Sequence, residues 1–276
     1  MLKKTSIGFV YISIAIIFIY FFSGYFIIEE APSEYERNIS KLKYQLGFED
    51  IYCYTNSPNT LSEANALSSG KEKTVYLTFD DGPSARTEEI LDLLDAYDIK
   101  ATFFIVYSDT EKSREIISRA YNSGHTIGVH STSHSYKEIY KSVDSFLSDF
   151  EICFEYLKDI TGDIPSIFRF PGGSVNNYNK SVRKDIADEL LRRGFTYFDW
   201  NVSGEDATKS YSEESIYNNV MMGCKDRAHS VVLLHDSAKK SETVAALKRI
   251  IPDLLEQGYV FKALDENAQS TVFRID

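Results

Sequence analysis

Asp80 and Asp81 end the apolar run Thr74–Phe79, and His130 and His134 follow at the end of another. Two carboxylates and two imidazoles are enough donors to hold a divalent metal and leave one carboxylate as a base. Adjacent residues at a strand end point in different directions, so one aspartate can bind a metal while the other faces a substrate. Gly82 and Pro83 then turn the chain sharply. The i, i+4 spacing of the histidines puts two imidazoles on one side of a helical turn. Each motif has an ordinary alternative, an Asp-Gly turn capping a helix in one case and two surface histidines in the other. His125, before the second run, is expected to be a loop residue.

Three further segments carry polar groups at predicted strand ends. Arg169 lies in Phe168-Arg169-Phe170-Pro171-Gly172-Gly173. Its guanidinium can hold a carboxylate bidentately, and the Pro-Gly-Gly turn brings bare backbone N–H groups close to a ligand, as an oxyanion site needs. His235, in Leu233-Leu234-His235-Asp236, is placed to act as a general acid. The leucines beside it can wall a pocket the size of a methyl group. Trp200, the only tryptophan, can stack on a sugar ring or pack in the core.

The elements that must position these groups alternate. Thr74–Phe79, Ala101–Val106, Thr126–His130, Ile167–Phe170, Thr196–Val202, Ser230–His235 and Val260–Leu264 read as strands. Thr87–Tyr97, Glu111–Asn122, Tyr136–Thr161, Lys180–Arg193 and Thr243–Gln257 read as helices. Repeated strand-then-helix units predict a parallel α/β domain, open or closed. The polar groups recur at the carboxyl ends of strands, the face that carries the active site in α/β barrels.

With 276 residues, 43% of them hydrophobic, the chain can bury a sizeable core. A formal net charge of −11 argues against non-specific nucleic-acid binding. After Lys3 and Lys4, Ile7–Ile28 is an almost uninterrupted apolar run without charge, long enough to cross a bilayer as a helix. Residues 1–28 are expected to form a cytoplasmic tip and transmembrane signal anchor, with a cleaved signal peptide as the alternative. Residues 29–70 read as a stalk and 71–276 as the catalytic domain. The flanking lysines predict a single-pass protein of the cell membrane with an external catalytic part. Cys53, Cys153 and Cys224 form no Cys-x-x-Cys motif and no disulfide framework.

Taken together, Thr-Phe-Asp-Asp-Gly, His-Ser-Thr-Ser-His, Arg-Phe-Pro-Gly-Gly, the Trp200 segment and Leu-Leu-His-Asp come in the order seen in polysaccharide deacetylases. The stretch Glu72–Leu264 resembles their NodB-homology domain, carbohydrate esterase family 4. The resemblance implies a distorted (β/α) barrel. It implies Asp80 as general base, Arg169 orienting it, His235 as general acid, and Asp81, His130 and His134 as ligands of a divalent metal. Zn²⁺ is the usual ion, with Co²⁺ or others as alternatives. Gly172 would offer an oxyanion donor and Leu233 would line the acetyl pocket. The implied reaction is hydrolysis of an N-acetyl group on GlcNAc in an extracellular polymer. Peptidoglycan is the first expectation; chitin oligosaccharides, poly-N-acetylglucosamine and acetyl-xylan are alternatives, and a non-catalytic glycan-binding module is a further one. Two departures stand out. The family's frequent Tyr after the motif proline is Gly172 here, which is expected to remove an aromatic wall. The frequent Asp of the Trp-x-Val-Asp segment is Ser203, which leaves open whether Asp206, Asp199 or neither tunes His235.

Overall fold

The computed structural model describes residues 72–275. The expected anchor at 1–28, the stalk at 29–70 and Cys53 lie outside the described residues, and among those described no helix is long and apolar enough to cross a membrane.

The chain alternates strand and helix: β1 (Lys73–Asp80), α1 (Ala85–Ala96), β2 (Thr102–Val106), α2 (Glu111–Asn122), β3 (Thr126–Ser131), α3 (Tyr136–Ile139), α4 (Val143–Thr161), β4 (Ile167–Phe168), α5 (Arg183–Arg192), β5 (Thr196–Tyr197), β6 (Val202–Ser203), α6 (Glu213–Cys224), β7 (His229–His235), α7 (Ser241–Glu256) and β8 (Tyr259–Phe261). The strands form one sheet in the order β5-β4-β3-β2-β1-β7-β6, and every pair is parallel. β7 pairs with β1 along nearly its whole length. β2 and β8 share the other edge of β1, β2 at the carboxyl half and β8 at the amino half.

A parallel sheet is covered on both faces, which is why β1 and β7 read as unbroken apolar runs. Side chains nevertheless alternate between two interiors. Val75, Leu77, Phe79, Phe103, Ile105, Val129, Val232 and Leu234 join the helices in the larger apolar cluster. Phe104 and Val231 turn the other way and meet Ile167, Phe198 and Leu264 in a smaller one. Asp80 is in register with Phe104 on one side and His235 on the other, so the polar groups at these strand ends are neighbours by pairing alone.

The expected barrel is incomplete. β5 and β6 lie at opposite ends of the sheet and are not hydrogen-bonded to each other. The expected single strand Thr196–Val202 is these two edges, and residues 198–201 cross between them. Other boundaries also differ from expectation. The expected helix Tyr136–Thr161 breaks at Tyr140–Ser142, because Ser142 is extended and its hydroxyl caps α4 at the Ser145 N–H (3.0 Å). The strand expected over Ile167–Phe170 stops at Phe168, the helix expected from Lys180 begins at Arg183, and the final strand is Tyr259–Phe261. The helix α6 was not expected; Ser212 caps it, acids Glu213 and Glu214 follow, and Ile216 and Val220 are buried.

Candidate active site

Asp80, the last residue of β1, is buried, and its Oδ1 accepts from Nη1 of Arg169 at 2.9 Å. Arg169 is fully buried and, contrary to the bidentate grip expected from the sequence, gives the carboxylate a single hydrogen bond. Its Nη1 also donates to Thr78 Oγ1 (2.6 Å), while Nε donates to the Phe198 carbonyl (2.8 Å) and Nη2 to the Asp199 carbonyl (2.9 Å). Those two carbonyls belong to the segment that crosses the sheet's open gap. One guanidinium therefore orients Asp80 and satisfies backbone acceptors that no strand reaches. Its plane lies over Phe104, 4.3 Å from the ring centre.

Asp81 has a left-handed backbone (φ 76°). Its Oδ1 lies 3.2 Å from His134 Nε2 and 3.7 Å from His130 Nε2. One donor atom from each of the three residues lies within 4.8 Å of the others. Bonds of about 2.0–2.2 Å to a shared ion fit that spacing. His130 Nδ1 meets the Arg169 carbonyl at 2.9 Å, which fixes the tautomer and leaves the Nε2 lone pair for the site. Burial first, then the neighbouring His134, pull the His130 pKa down to about 3, so the ring is neutral, the ligating form.

The histidines do not share a helical turn. His130 is on β3, and His134 follows a tight turn with its own left-handed backbone (φ 50°). That turn is clamped from α4 by Asp149, a residue sequence reasoning missed. Its carboxylate accepts from Ser131 Oγ (2.6 Å) and from the N–H groups of Thr132 and Ser133 (2.8 Å each), and Ser131 Oγ in turn accepts from the His134 N–H (2.9 Å). The available signal was an acid beside Phe146, Phe150 and Cys153 on a helix face that is otherwise apolar.

His235 ends β7. Its Nδ1 is 2.7 Å from Oδ1 of Asp206, whose Oδ2 accepts from the His235 N–H (2.9 Å) and from Thr243 Oγ1 (2.8 Å). Burial alone would lower the His235 pKa. The hydrogen bond and charge of Asp206, with Asp80 and Asp81 beyond, outweigh it and push the value up to about 9. The contact alternatives left open by Ser203 thus resolve to Asp206. Asp199 points elsewhere and accepts from the Ser174 N–H and hydroxyl and from the Phe273 N–H (2.8, 2.5 and 2.7 Å).

These groups meet in one cleft of about 330 Å³ lined by Asp80, Asp81, His130, His134, Gly172, Trp200, Leu233, Asp206 and His235. Arg169 is set behind it. Trp200 is half-buried and lines the cleft, so it is neither wholly core nor wholly free. Tyr136, Glu205, Ala207 and Thr208 line the cleft too and were not anticipated. The aromatic wall expected to be lost at Gly172 is present, because a Cβ there would meet the Tyr136 hydroxyl at 3.0 Å. Burial first, then the charges of Asp81 and Asp80, push the Tyr136 phenol up to about 12, so it stays a donor.

Two further buried residues, Asp236 next to His235 and His125 at the amino end of β3, were also underestimated. Asp236 is fully buried, accepts from Thr87 Oγ1 at 2.6 Å, and packs so closely on Gly82 that any Cβ there would overlap its carboxyl. Burial pushes its pKa up to about 7. His125 is buried rather than exposed in a loop, and its Nδ1 accepts from the Ala101 N–H (3.1 Å).

A sequence profile of the polysaccharide deacetylases matches residues 68–190. A peptidoglycan-N-acetylglucosamine deacetylase of Bacillus cereus is 31% identical over 209 residues, covering 74% of this chain and 74% of its own. The catalytic domain of a peptidoglycan N-acetylglucosamine deacetylase from Eubacterium rectale superposes with a TM-score of 0.71 at 36% identity, over 79% of this chain and all of that one. A family 4 acetyl xylan esterase of Clostridium thermocellum, solved with a cobalt ion, superposes at 0.59 with 31% identity, over 69% of this chain and 88% of its own. The chain belongs to the polysaccharide deacetylase family, carbohydrate esterase family 4.

Proposed function

We propose that the protein is a metal-dependent hydrolase that removes the N-acetyl group from GlcNAc residues of an extracellular polysaccharide, and that this polysaccharide is peptidoglycan. The observation that carries the reading is the placing of two differently supported groups in one cleft. Asp80 is fixed by Arg169 and His235 by Asp206, in the same cleft as the Asp81, His130 and His134 donors.

Asp81, His130 and His134 would hold the ion. Bound there, Zn²⁺, or Co²⁺ in its place, would supply a Lewis acid for the acetamido carbonyl and would lower the pKa of water toward neutrality. Asp80 takes the proton of the attacking water; the hydrogen bond from Arg169 holds Oδ1 and leaves Oδ2 facing the site. The Gly172 N–H donates to the oxyanion that develops on the acyl oxygen. Leu233, 7% exposed, offers an apolar surface to the acetyl methyl. His235, protonated on both nitrogens, keeps Nδ1 on Asp206 and gives its Nε2 proton to the amine as the C–N bond breaks. Acetate and a free amino sugar leave. Trp200 flanks the sugar ring.

The substrate assignment draws on the named activity of the Bacillus cereus and Eubacterium rectale relatives and on the apolar run Ile7–Ile28. We read that run as an anchor holding the domain, residues 71–276, outside the cell beside the wall. The acetyl xylan esterase relative favours ester hydrolysis on xylan as the second reading.

The test is acetate release from intact peptidoglycan, chitin oligomers and acetyl-xylan by chelated and Zn²⁺-restored protein, with Asp80→Asn as control. Metal-dependent acetate from peptidoglycan, abolished in the variant, is the expected result. Acetate from xylan alone would transfer the assignment to the esterase. Recovery of the protein in the soluble external fraction would overturn the anchor.

A further inference from the structure

The loop Pro171–Asn179 carries two glycines with left-handed backbones, Gly172 (φ 74°) and Gly173 (φ 84°). A Cβ on Gly172 would meet the Tyr136 hydroxyl at 3.0 Å, and one on Gly173 would meet the Trp200 ring at 3.0 Å. The bare backbone therefore lets two aromatic rings close on the loop. Both rings line the cleft. Tyr136 also begins a surface that continues beyond it to Tyr178 and that the reaction does not use.

That surface is a relay of rings leading out of the cleft. The Tyr136 ring centre is 5.2 Å from that of His134 and 5.5 Å from that of Tyr178, at 72° to the latter. Tyr178 is 50% exposed. It is nonetheless held in place. Asn176 Oδ1 accepts from the Tyr178 N–H (2.8 Å), and its Nδ2 donates to the carbonyls of Pro171 (3.2 Å) and Gly173 (3.0 Å). From the far side Tyr140 donates its hydroxyl to the Pro171 carbonyl at 2.8 Å. Neither the Tyr136 nor the Tyr178 hydroxyl has a hydrogen-bond partner among the described residues. A fixed, exposed ring followed by a half-buried ring with a spare donor suits a pyranose, which offers an apolar C–H face and a rim of hydroxyls. Because the loop is stitched before any ligand arrives, little ordering entropy opposes binding.

We propose that Tyr136 and Tyr178 form a second sugar subsite, on the His134 side of the cleft, for the residue adjoining the one that is deacetylated. Tyr178 stacks on that neighbouring ring, and Tyr136 hydrogen-bonds to it through its phenol. The inference rests on the deacetylase reading for its ligand class. The protein consequently prefers oligosaccharides to a disaccharide, and the preference resides in these two side chains.

The test uses the full chain loaded with Zn²⁺ and GlcNAc oligomers from dimer to pentamer. Two readouts are taken: calorimetric binding in an Asp80→Asn background, and steady-state deacetylation with Asp80 intact. In each, Tyr178→Ala and Tyr136→Phe are compared with their parent. The expected result is that the affinity gain from dimer to tetramer shrinks about 3- to 10-fold in Tyr178→Ala, and that the same ratio falls in kcat/KM mainly through KM. Tyr136→Phe keeps the ring and loses only the hydroxyl, so a smaller loss of the same kind is expected. Equal losses on dimer and tetramer would mean a merely structural role and overturn the subsite, as would an unaltered length dependence in both variants. A length-dependent affinity that needs Tyr178 in a protein releasing no acetate would uphold the subsite and reject the deacetylase reading instead.

Discussion

The Asp206 carboxylate lies 2.7 Å from Nδ1 of His235 and reaches it from three residues beyond Ser203. The turn after β6 delivers the acid, and Thr243 of α7 holds it. Because the His235 pKa is raised to about 9 from its ordinary 6.5, its acid form is complete at neutral pH and is lost as pH rises through that value. The alkaline limb of kcat/KM is therefore expected near pH 9. Asp206→Asn removes the carboxylate and leaves burial, which favours the neutral ring, so the limb moves to lower pH. At pH 8 kcat/KM should fall about 10-fold or more, by the usual worth of a general acid. A pH–rate profile with the same limb in both proteins would remove Asp206 from this role.

Arg169 ties the open side of the barrel to the Asp80 carboxylate, the proposed base. Arg169→Lys keeps a charge, but one ammonium cannot serve the Asp80 carboxylate and the Phe198 and Asp199 carbonyls together. Breaking a buried pair of this kind costs about 3–5 kcal/mol. At about 2–4 °C per kcal/mol for a domain of this size, the melting temperature should fall by about 10 °C. Calorimetry on the chelated protein checks this, and a shift under about 3 °C would mean that water replaces the guanidinium.

Asp149 acts on the proposed metal donors from a distance. It satisfies two backbone N–H groups and the Ser131 hydroxyl that together set the turn carrying His134. Asp149→Ala should weaken Zn²⁺ binding about 10- to 100-fold, the usual effect of losing a partner behind the ligands. Competition with a chromophoric chelator measures it directly. Unaltered affinity would show that the turn holds its shape without the clamp.

The site was legible where strand periodicity and motif coincide. Asp80, His130 and His235 each end an apolar run, and parallel pairing then makes Asp80 and His235 neighbours without further information. Asp149 was hidden because its partners are on another element. Tyr136 was hidden because what it fills is the absence of a side chain at Gly172. The two edge strands were fused in the sequence reading because residues 196–202 carry no glycine or proline to mark the gap between them. Only the missing partner strand distinguishes them. The break before α4 and the whole of α6 were readable from Ser142 and Ser212, each a capping serine ahead of a helical pattern.

The C-terminal segment beyond β8 returns to the cleft and supports Trp200. The Phe273 ring meets Trp200 edge-on at 5.0 Å, and the segment is pinned where the Phe273 N–H donates to Asp199 Oδ2 (2.7 Å) and the Asp199 N–H to the Thr271 carbonyl (2.8 Å). Phe273→Ala removes the backing ring and leaves the backbone pins in place, so Trp200 gains solvent and freedom while Asp80 and His235 keep their partners. KM for glycan should rise about 3- to 10-fold with kcat changed less than about 2-fold, the scale of one aromatic contact. Because the chain has a single tryptophan, its emission reports this residue alone and should shift to longer wavelength in the variant. Unchanged emission together with unchanged KM would mean that Trp200 is held by Arg169 and Gly173 without help from the C-terminal segment.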